Sequence, residues 1–301
     1  MTAPRAIRPH GILEGADQVV ELGALGSWRP KLVASDLDGT LLDERGEVSP
    51  RTRAALDACW AAGIPVVGVT GRGPRLLETV RAALDGRGLG VLSQGGFVVD
   101  LERDEVLRAV AMPREQAVRV IEAIEQVAGD VTIAVEDAAE QGEVRTRLRV
   151  EHGFDWPYPE LSHLLARGEV LPDGAVLKVF LRSATLDQDE LLAHARAVVD
   201  PADAEVTHAG LGFIEVLPPG ITKASGLQLA LDRYGVGFGD VLAFGDMPND
   251  LPMLAAVQEA GGRAVAVANA HPDVRALTSD LTSGHRADGV ARYLEAVLAD
   301  G

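Results

Sequence analysis

Asp36 and Asp38 stand two residues apart in Ser35-Asp36-Leu37-Asp38-Gly39-Thr40-Leu41-Leu42-Asp43, directly after the apolar run Leu32-Val33-Ala34. That run reads as a buried strand. Two carboxylates leaving a strand just before a glycine can project toward one spot. Like charges that close repel, so the pair is costly unless a cation or a proton neutralises it. The pattern suits a carboxylate nucleophile beside a carboxylic general acid, both near Mg2+. An isolated Asp-x-Asp is more often an acidic loop. Here three further segments carry matching chemistry.

The second segment is Val69-Thr70-Gly71-Arg72-Gly73-Pro74. A hydroxyl at a strand end, followed by glycines and a helix start, can bind a phosphoryl oxygen with help from backbone N–H groups. Alone, Thr-Gly at a strand end commonly just makes a turn. The third is Gly220-Ile221-Thr222-Lys223-Ala224-Ser225-Gly226-Leu227. A lysine at a helix start works against the helix dipole, and a nearby carboxylate and phosphate would give its placement a reason. The fourth, Phe244-Gly245-Asp246-Met247-Pro248-Asn249-Asp250-Leu251, follows the strand-like Val241-Leu242-Ala243. Asp246 and Asp250 bracket a strand-to-helix turn, so both can face the top of a sheet. Hard oxygen donors without His or Cys point to Mg2+ rather than zinc. Read singly, Asp250 is an acidic first-turn residue and Asn249 a helix cap.

These segments need an alternating scaffold, and the chain supplies one. Leu32–Ser35 and Ile64–Val69 read as strands, Pro50–Ala62 and Pro74–Leu84 as helices, and Gly90–Leu92 begins a third strand. Ser49 is placed to cap the first helix, with Pro50 at its first position. The rhythm resumes with helix Lys223–Tyr234, strand Val241–Phe244, helix Asn249–Ala256, strand Arg263–Val267, helix Pro272–Leu277 and helix Asp288–Leu298. This β-α-β order implies parallel strands with right-handed crossovers. Ligands of such sheets bind at the carboxyl ends of the strands, where the candidate segments lie. The middle differs. Gly96–Asp100 and Glu105–Ala111 look like an antiparallel hairpin. Val131–Val135, Val144–Val150, Ala175–Leu181 and Phe213–Val216 read as strands, and Arg114–Val127 and Asp189–Val199 as helices. The expected organisation is an N-terminal extension over 1–29, an α/β core over 30–110 and 213–301, and an inserted α+β domain over 111–212.

Composition narrows the partners. A net charge of -17 argues against nucleic acid, whose phosphates recruit basic surfaces. A small anionic substrate stays possible, because a metal and a few local cations can override the global field. The single cysteine, Cys59, gives neither a disulfide framework nor a thiolate metal site. No stretch reaches 18 uninterrupted apolar residues, so no membrane span is expected. Residues 1–29 lack the apolar centre of a secretory signal, and a cytoplasmic location is the default expectation.

Together the four segments resemble the haloacid dehalogenase superfamily, and their order and spacing resemble its Cof-type subgroup, with a class IIB cap between the second and third motifs. The resemblance covers about residues 31–301. Val267-Ala268-Asn269-Ala270-His271-Pro272-Asp273-Val274 and Ala287-Asp288-Gly289-Val290 are similar to the subgroup too. Two departures are Gly95-Gly96, where the subgroup often has Asn-Gly, and His285, where it often has Asn. The resemblance implies a Rossmann-like parallel core and a Mg2+-dependent phosphatase acting on a small soluble phosphomonoester such as a sugar phosphate. It implies that Asp36 attacks phosphorus and becomes an aspartyl phosphate, and that Asp38 protonates the leaving alcohol and then activates water. Thr70, Gly71 and Lys223 would hold the phosphoryl oxygens, with Asn249 touching phosphate or orienting Asp250. Asp36, the Asp38 backbone carbonyl, Asp246 and Asp250 would hold Mg2+. A phosphotransferase or phosphomutase would use the same intermediate, and a non-catalytic phosphate-binding regulator is the rival of another class.

Within the insert, Val144-Arg145-Thr146-Arg147-Leu148-Arg149-Val150 alternates, placing Arg145, Arg147 and Arg149 on one strand face. The favoured reading is a solvated face paired with carboxylates. The alternative is that these arginines, with Arg72, select a second anionic group on the substrate. Phe154-Asp155-Trp156-Pro157-Tyr158-Pro159 concentrates three aromatics in a chain that is 4% aromatic, and packing under the cap is the favoured role. His152 and His208 are weaker candidates for the cleft.

Overall fold

A computed structural model of the chain describes residues 28–138, 146–156, 162–208 and 210–299. Two sheets organise it. The first contains β1 (Leu32–Ser35), β2 (Val66–Val69), β3 (Leu89–Leu92), β4 (Phe97–Asp100) and β5 (Glu105–Ala109). The second contains β6 (Val131–Asp137), β7 (Leu148–Glu151), β8 (Ser162–Leu165), β9 (Val176–Ser183), β10 (Glu205–Thr207) and β11 (Ile214–Leu217). The chain then returns to the first sheet with β12 (Val241–Gly245), β13 (Arg263–Val267) and β14 (Asp280–Thr282).

The first sheet runs β14-β13-β12-β1-β2-β3-β4-β5. Its strands from β14 to β3 are mutually parallel; β4 and β5 close the far edge in antiparallel pairing. Every residue of β1, β2, β3, β4 and β12 is buried, as a parallel sheet covered on both faces requires. Helices α1 (Pro50–Ala61) and α2 (Leu77–Ala83) belong to this layer structure. Ser49 does cap α1, accepting from the Thr52 N–H. The expected helix over 74–84 is a short 3-10 turn at Pro74–Leu76 followed by α2.

The second sheet runs β10-β11-β9-β6-β7-β8 and is antiparallel except between β7 and β8. One face packs against α3 (Arg114–Ala128) and, beyond the single-turn α4 (Arg167–Val170), against α5 (Gln188–Val198). Ile121, Ile124, Ile133, Val135, Val179 and Leu192 share that apolar layer. The opposite face carries Ala134, Leu148, Val150, Phe154, Trp156, Phe180 and Phe213 as a separate cluster. This α+β unit is the cap.

One expected boundary moves. Residues 213–217 are expected in the core, yet β11 pairs with β9 and β10 in the cap sheet. Its apolar pattern cannot say which sheet it joins; only its hydrogen-bond partners do. Strand Val144–Val150 is β7 over Leu148–Glu151, and residues 139–145 lie outside the described ones. The extension over 1–29 lies outside too, except Trp28 and Arg29; Trp28 Nε1 donates to the Gly239 carbonyl at 3.0 Å. Strands β8, β10 and β14 were not anticipated, because three- or four-residue runs give no clear period. No described helix is long and apolar enough to cross a membrane.

Candidate active site

Asp36 leaves the end of β1, with its N–H held by the Phe244 carbonyl of the neighbouring β12. Asp246 leaves the end of β12 itself. Parallel register therefore brings the two carboxylates together across one strand spacing. The chain after Asp36 turns through Gly39 at φ +79°, and a Cβ there would stand 2.3 Å from Asp246 Oδ2. Only glycine allows that approach. Thr40 Oγ1 donates to Asp246 Oδ1 at 3.2 Å, and Asn269 Nδ2 holds the Gly39 carbonyl at 2.8 Å.

Asp250 sits on the 3-10 turn Pro248–Asp250 that leads into α7 (Leu251–Glu259), four residues from Asp246. The expected helix thus starts two residues later than its first turn suggested. Asp250 Oδ2 accepts from the N–H groups of Asp246 and Met247, both at 3.0 Å. Its other oxygen faces Lys223. That lysine opens α6 (Lys223–Tyr234), whose N-terminus Thr222 caps by accepting from Ser225 N–H. Lys223 Nζ donates to Asp36 Oδ1 at 2.5 Å and to Asp250 Oδ1 at 2.6 Å. Its unfavourable place on the helix dipole is thereby explained: two carboxylates hold it.

Asp36, Asp246 and Asp250 offer carboxylate oxygens that all lie within 4.8 Å of one another. All three are buried. Three carboxylates against one ammonium leave negative charge in excess. Burial drives the Asp36 carboxyl up to about 7; Lys223 pulls it back while Asp250 and Asp38 push it up. Burial, then Asp36 and Asp250, also raise Asp246 well above the usual carboxylate range. Burial alone would lower Lys223, but Asp250 and Asp36 outweigh it and raise it. Asp36 Oδ2 is buried without a hydrogen-bond partner. An all-oxygen donor set with excess charge and an open acceptor fits Mg2+.

Thr70 ends the buried β2 and is 1% exposed; its hydroxyl accepts from Arg72 N–H at 3.1 Å. Asp38 stands apart, its side chain 53% exposed. Arg72 grips it with both ends of its fork, Nε to Oδ2 at 2.8 Å and an NH2 to Oδ1 at 2.6 Å. Its side chain is thus paired with Arg72 and turned to solvent, and it is not part of the buried carboxylate cluster.

A family model described as haloacid dehalogenase-like hydrolase matches residues 33–294. The chain belongs to that family. The hydrolase is 28% identical over 263 residues to a phosphoglycolate phosphatase of Methanothermobacter thermautotrophicus, covering 87% of this chain and 96% of that one. It is 29% identical over 276 residues to an HMP-PP phosphatase of Serratia proteamaculans, covering 88% and 94%. Among solved structures, the subclass IIB sugar phosphatase BT4131 superposes with a TM-score of 0.70 at 21% identity, over 88% of this chain and 98% of that one. The Cof-type core with its IIB-like cap, and the expected enzyme class of phosphoric monoester hydrolase, agree with these findings.

Among the described residues, the arginine stripe of the hydrolase does not reach the site. Arg149 pairs in register with Val135, on the sheet face that α3 and α5 cover. It binds Asp137 at 3.1 Å and the Glu169 carbonyl at 3.2 Å. Arg147, two residues away on the same face, is exposed. Arg145 lies outside the described residues. This face is on the far side of the cap sheet from Glu136, Lys178 and Glu215, so the sheet itself separates it from the cleft. Arg72, the remaining candidate for substrate selection, engages Asp38 instead. Phe154 and Trp156 pack with Phe180 and Phe213, as favoured; Tyr158 lies outside the described residues. His208 is buried against Asp189, and His152 is exposed.

Other side chains cross between cap and core. Lys178 Nζ on β9 donates to the Gly71 carbonyl at 2.6 Å and to Glu215 at 3.2 Å, with the Phe180 ring centroid 4.6 Å away. Glu215 on β11 accepts from Gln94 Nε2 at 2.6 Å. Arg75 reaches Glu136 at 2.8 Å, and Thr146 donates to the same carboxylate. Sequence reading missed all of these. For Lys178 and Glu215 the signal was available as single charges inside apolar runs, Leu177-Lys178-Val179 and Ile214-Glu215-Val216; Glu136, followed by Asp137, gave none. A charge buried in a strand needs a partner: Lys178 and Glu215 answer each other within the cap, and Gly71, Gln94 and Arg75 add partners from the core.

Proposed function

We propose that this hydrolase is a cytoplasmic Mg2+-dependent phosphatase that cleaves small soluble phosphomonoesters, such as sugar phosphates, through an aspartyl phosphate on Asp36. The observation that carries the reading is the state of Asp36. One of its oxygens is held by Lys223, and the other is buried and open inside a three-carboxylate cluster.

In the proposed reaction an Asp36 oxygen forms a bond to phosphorus while the ester P–O bond breaks. Asp38 supplies the proton that leaves with the alcohol, then takes one from water as that water attacks the acyl phosphate. The Arg72 fork fixes Asp38 in one orientation at the mouth of the site. Lys223, Thr70 and the Gly71 backbone hold the phosphoryl oxygens. Asp36, Asp246, Asp250 and the Asp38 carbonyl would hold Mg2+, which when bound would neutralise the crowded carboxylates and the transferring group. Positioning and charge neutralisation dominate catalysis of this kind. We place the cap at 111–217 and the core at 30–110 and 218–301. The closed cap shields the aspartyl phosphate from bulk water.

The test is phosphate release from a panel of phosphorylated metabolites with and without Mg2+. Mg2+-dependent release, together with acid-stable label on Asp36 from a 32P-ester, is the expected result. Consumption of the ester that needs an added acceptor alcohol, and that yields the acceptor's phosphate ester in place of inorganic phosphate, would assign a phosphotransferase instead. No turnover of any ester, with phosphate still bound, would point to a regulator.

A further inference from the structure

The loop between β13 and α8 (Pro272–Leu277) touches both strand ends that carry the carboxylate cluster. From it the His271 N–H donates to the Asp246 carbonyl at 2.7 Å, and Asn269 Nδ2 donates to the Gly39 carbonyl at 2.8 Å. The proposed metal site needs these two places together. Asp246 supplies a carboxylate there, and the peptide just before Gly39 carries the Asp38 carbonyl.

Asn269 is itself fixed. Its Oδ1 accepts from the His285 N–H at 3.0 Å. An N–H partner on one side and a carbonyl on the other allow the amide only one orientation. A Cβ on Gly284 would press on that oxygen at 3.2 Å. Only the backbone of His285 enters this link, so its side chain is not what anchors Asn269.

The turn that Asn269 grips has little rigidity of its own. Asp38 sits at φ −77°, ψ 118° and Gly39 at φ 79°, ψ 0°. These are the two corners of a type II turn. Glycine leaves such a conformation at little cost, and the Asp38 side chain is turned to solvent. The turn is instead held from outside. Thr40 Oγ1 bonds Asp246 on one side, and Asn269 holds the Gly39 carbonyl on the other.

We propose that Asn269 is a positioning residue for metal binding, holding the Asp38–Gly39 turn against Asp246 so that the Asp38 carbonyl joins the three carboxylates as a ligand. The inference rests on the phosphatase reading and deepens it, because that reading puts Mg2+ at this place. Asn269 is exposed, so water takes over its hydrogen bonds when the side chain is removed, and the fold loses little. Water does not replace the tether between the two loops. The effect therefore falls on Mg2+ affinity.

The experiment titrates MgCl2 into the full chain without substrate and follows the melting temperature, then repeats the titration with phosphate release as the readout. Mg2+ should raise the melting temperature of wild type. Asn269→Ala should melt within about 2 °C of wild type without metal. It should need about fivefold more Mg2+ for the half-maximal rise. Phosphate release should show the same shift, and saturating Mg2+ should restore most of it. His285→Ala keeps the N–H and should titrate like wild type. Should Asn269→Ala fail to fold, His285→Pro decides in its place: it removes the N–H that anchors Asn269, at the first position of a 3-10 turn, and should shift the midpoint in the same direction. An unchanged midpoint in Asn269→Ala overturns the inference, and so does a loss of release that saturating Mg2+ does not restore. A fivefold shift in His285→Ala overturns it too. In each of these cases Mg2+-dependent melting and release of wild type leave the phosphatase reading intact. Wild type that is indifferent to Mg2+ in both readouts removes the metal from that reading as well.

Discussion

The two sides of the cleft treat buried charge in opposite ways. On the core side, Asp36, Asp246 and Asp250 face a single ammonium, that of Lys223. On the cap side, Lys178 answers Glu215, and Arg75 of the core answers Glu136. A balanced buried pair contributes little net stability but is costly to break. An unbalanced cluster is unstable until something positive enters. The proposed function asks the core side to take a cation and an anion together, whereas the charges of the cap side are already matched by one another and by Arg75.

The largest effect should come from the centre of the unbalanced cluster. Asp36→Asn should lower phosphate release by about a thousandfold or more, since it removes the attacking oxygen. Its melting temperature without metal should stay the same or rise, because carboxylate crowding is relieved. Normal turnover would remove the nucleophile. Lys223→Met should destabilise the metal-free protein by about 3 kcal/mol or more, as buried carboxylates lose their partner. Denaturant melts would show this, and added Mg2+ should restore part of it. A variant as stable as wild type would mean the cluster is not charge-strained. Asp250→Ala should raise the Mg2+ needed for half-maximal activity by about tenfold; an identical titration would count against its ligand role. The smallest effect belongs to the outer face of the cap. Arg149→Ala should change stability by less than about 1 kcal/mol and leave substrate preference alone, since its pair with Asp137 is partly solvated. A changed preference would show that this face reaches substrate after all.

The legibility of the two sides differs for the same reason. Asp36, Thr70, Lys223 and Asp246 each sit at a strand end or helix start that local sequence announces, and a parallel sheet gathers such ends on one edge. The cap offered no comparable rule. Arg149 lies on a strand face, but the pattern could not say that α3 and α5 pack on that face. Lys178, Glu215 and Glu136 looked like isolated charges until the opposite wall supplied Gly71, Gln94 and Arg75. Phe213–Val216 reads as a strand, but its pattern does not say that the strand joins the cap sheet.

The order of residues determined the chemistry of the core: which carboxylates leave which strands, and which lysine starts a helix. These depend on contacts that run a few residues along the chain and on a sheet whose handedness is fixed. Tertiary structure alone decided which face of the cap sheet meets the core, and so which charges line the cleft. That choice depends on helix packing and strand partners far apart in the chain, for which alternation along one strand gives the two faces but not their neighbours.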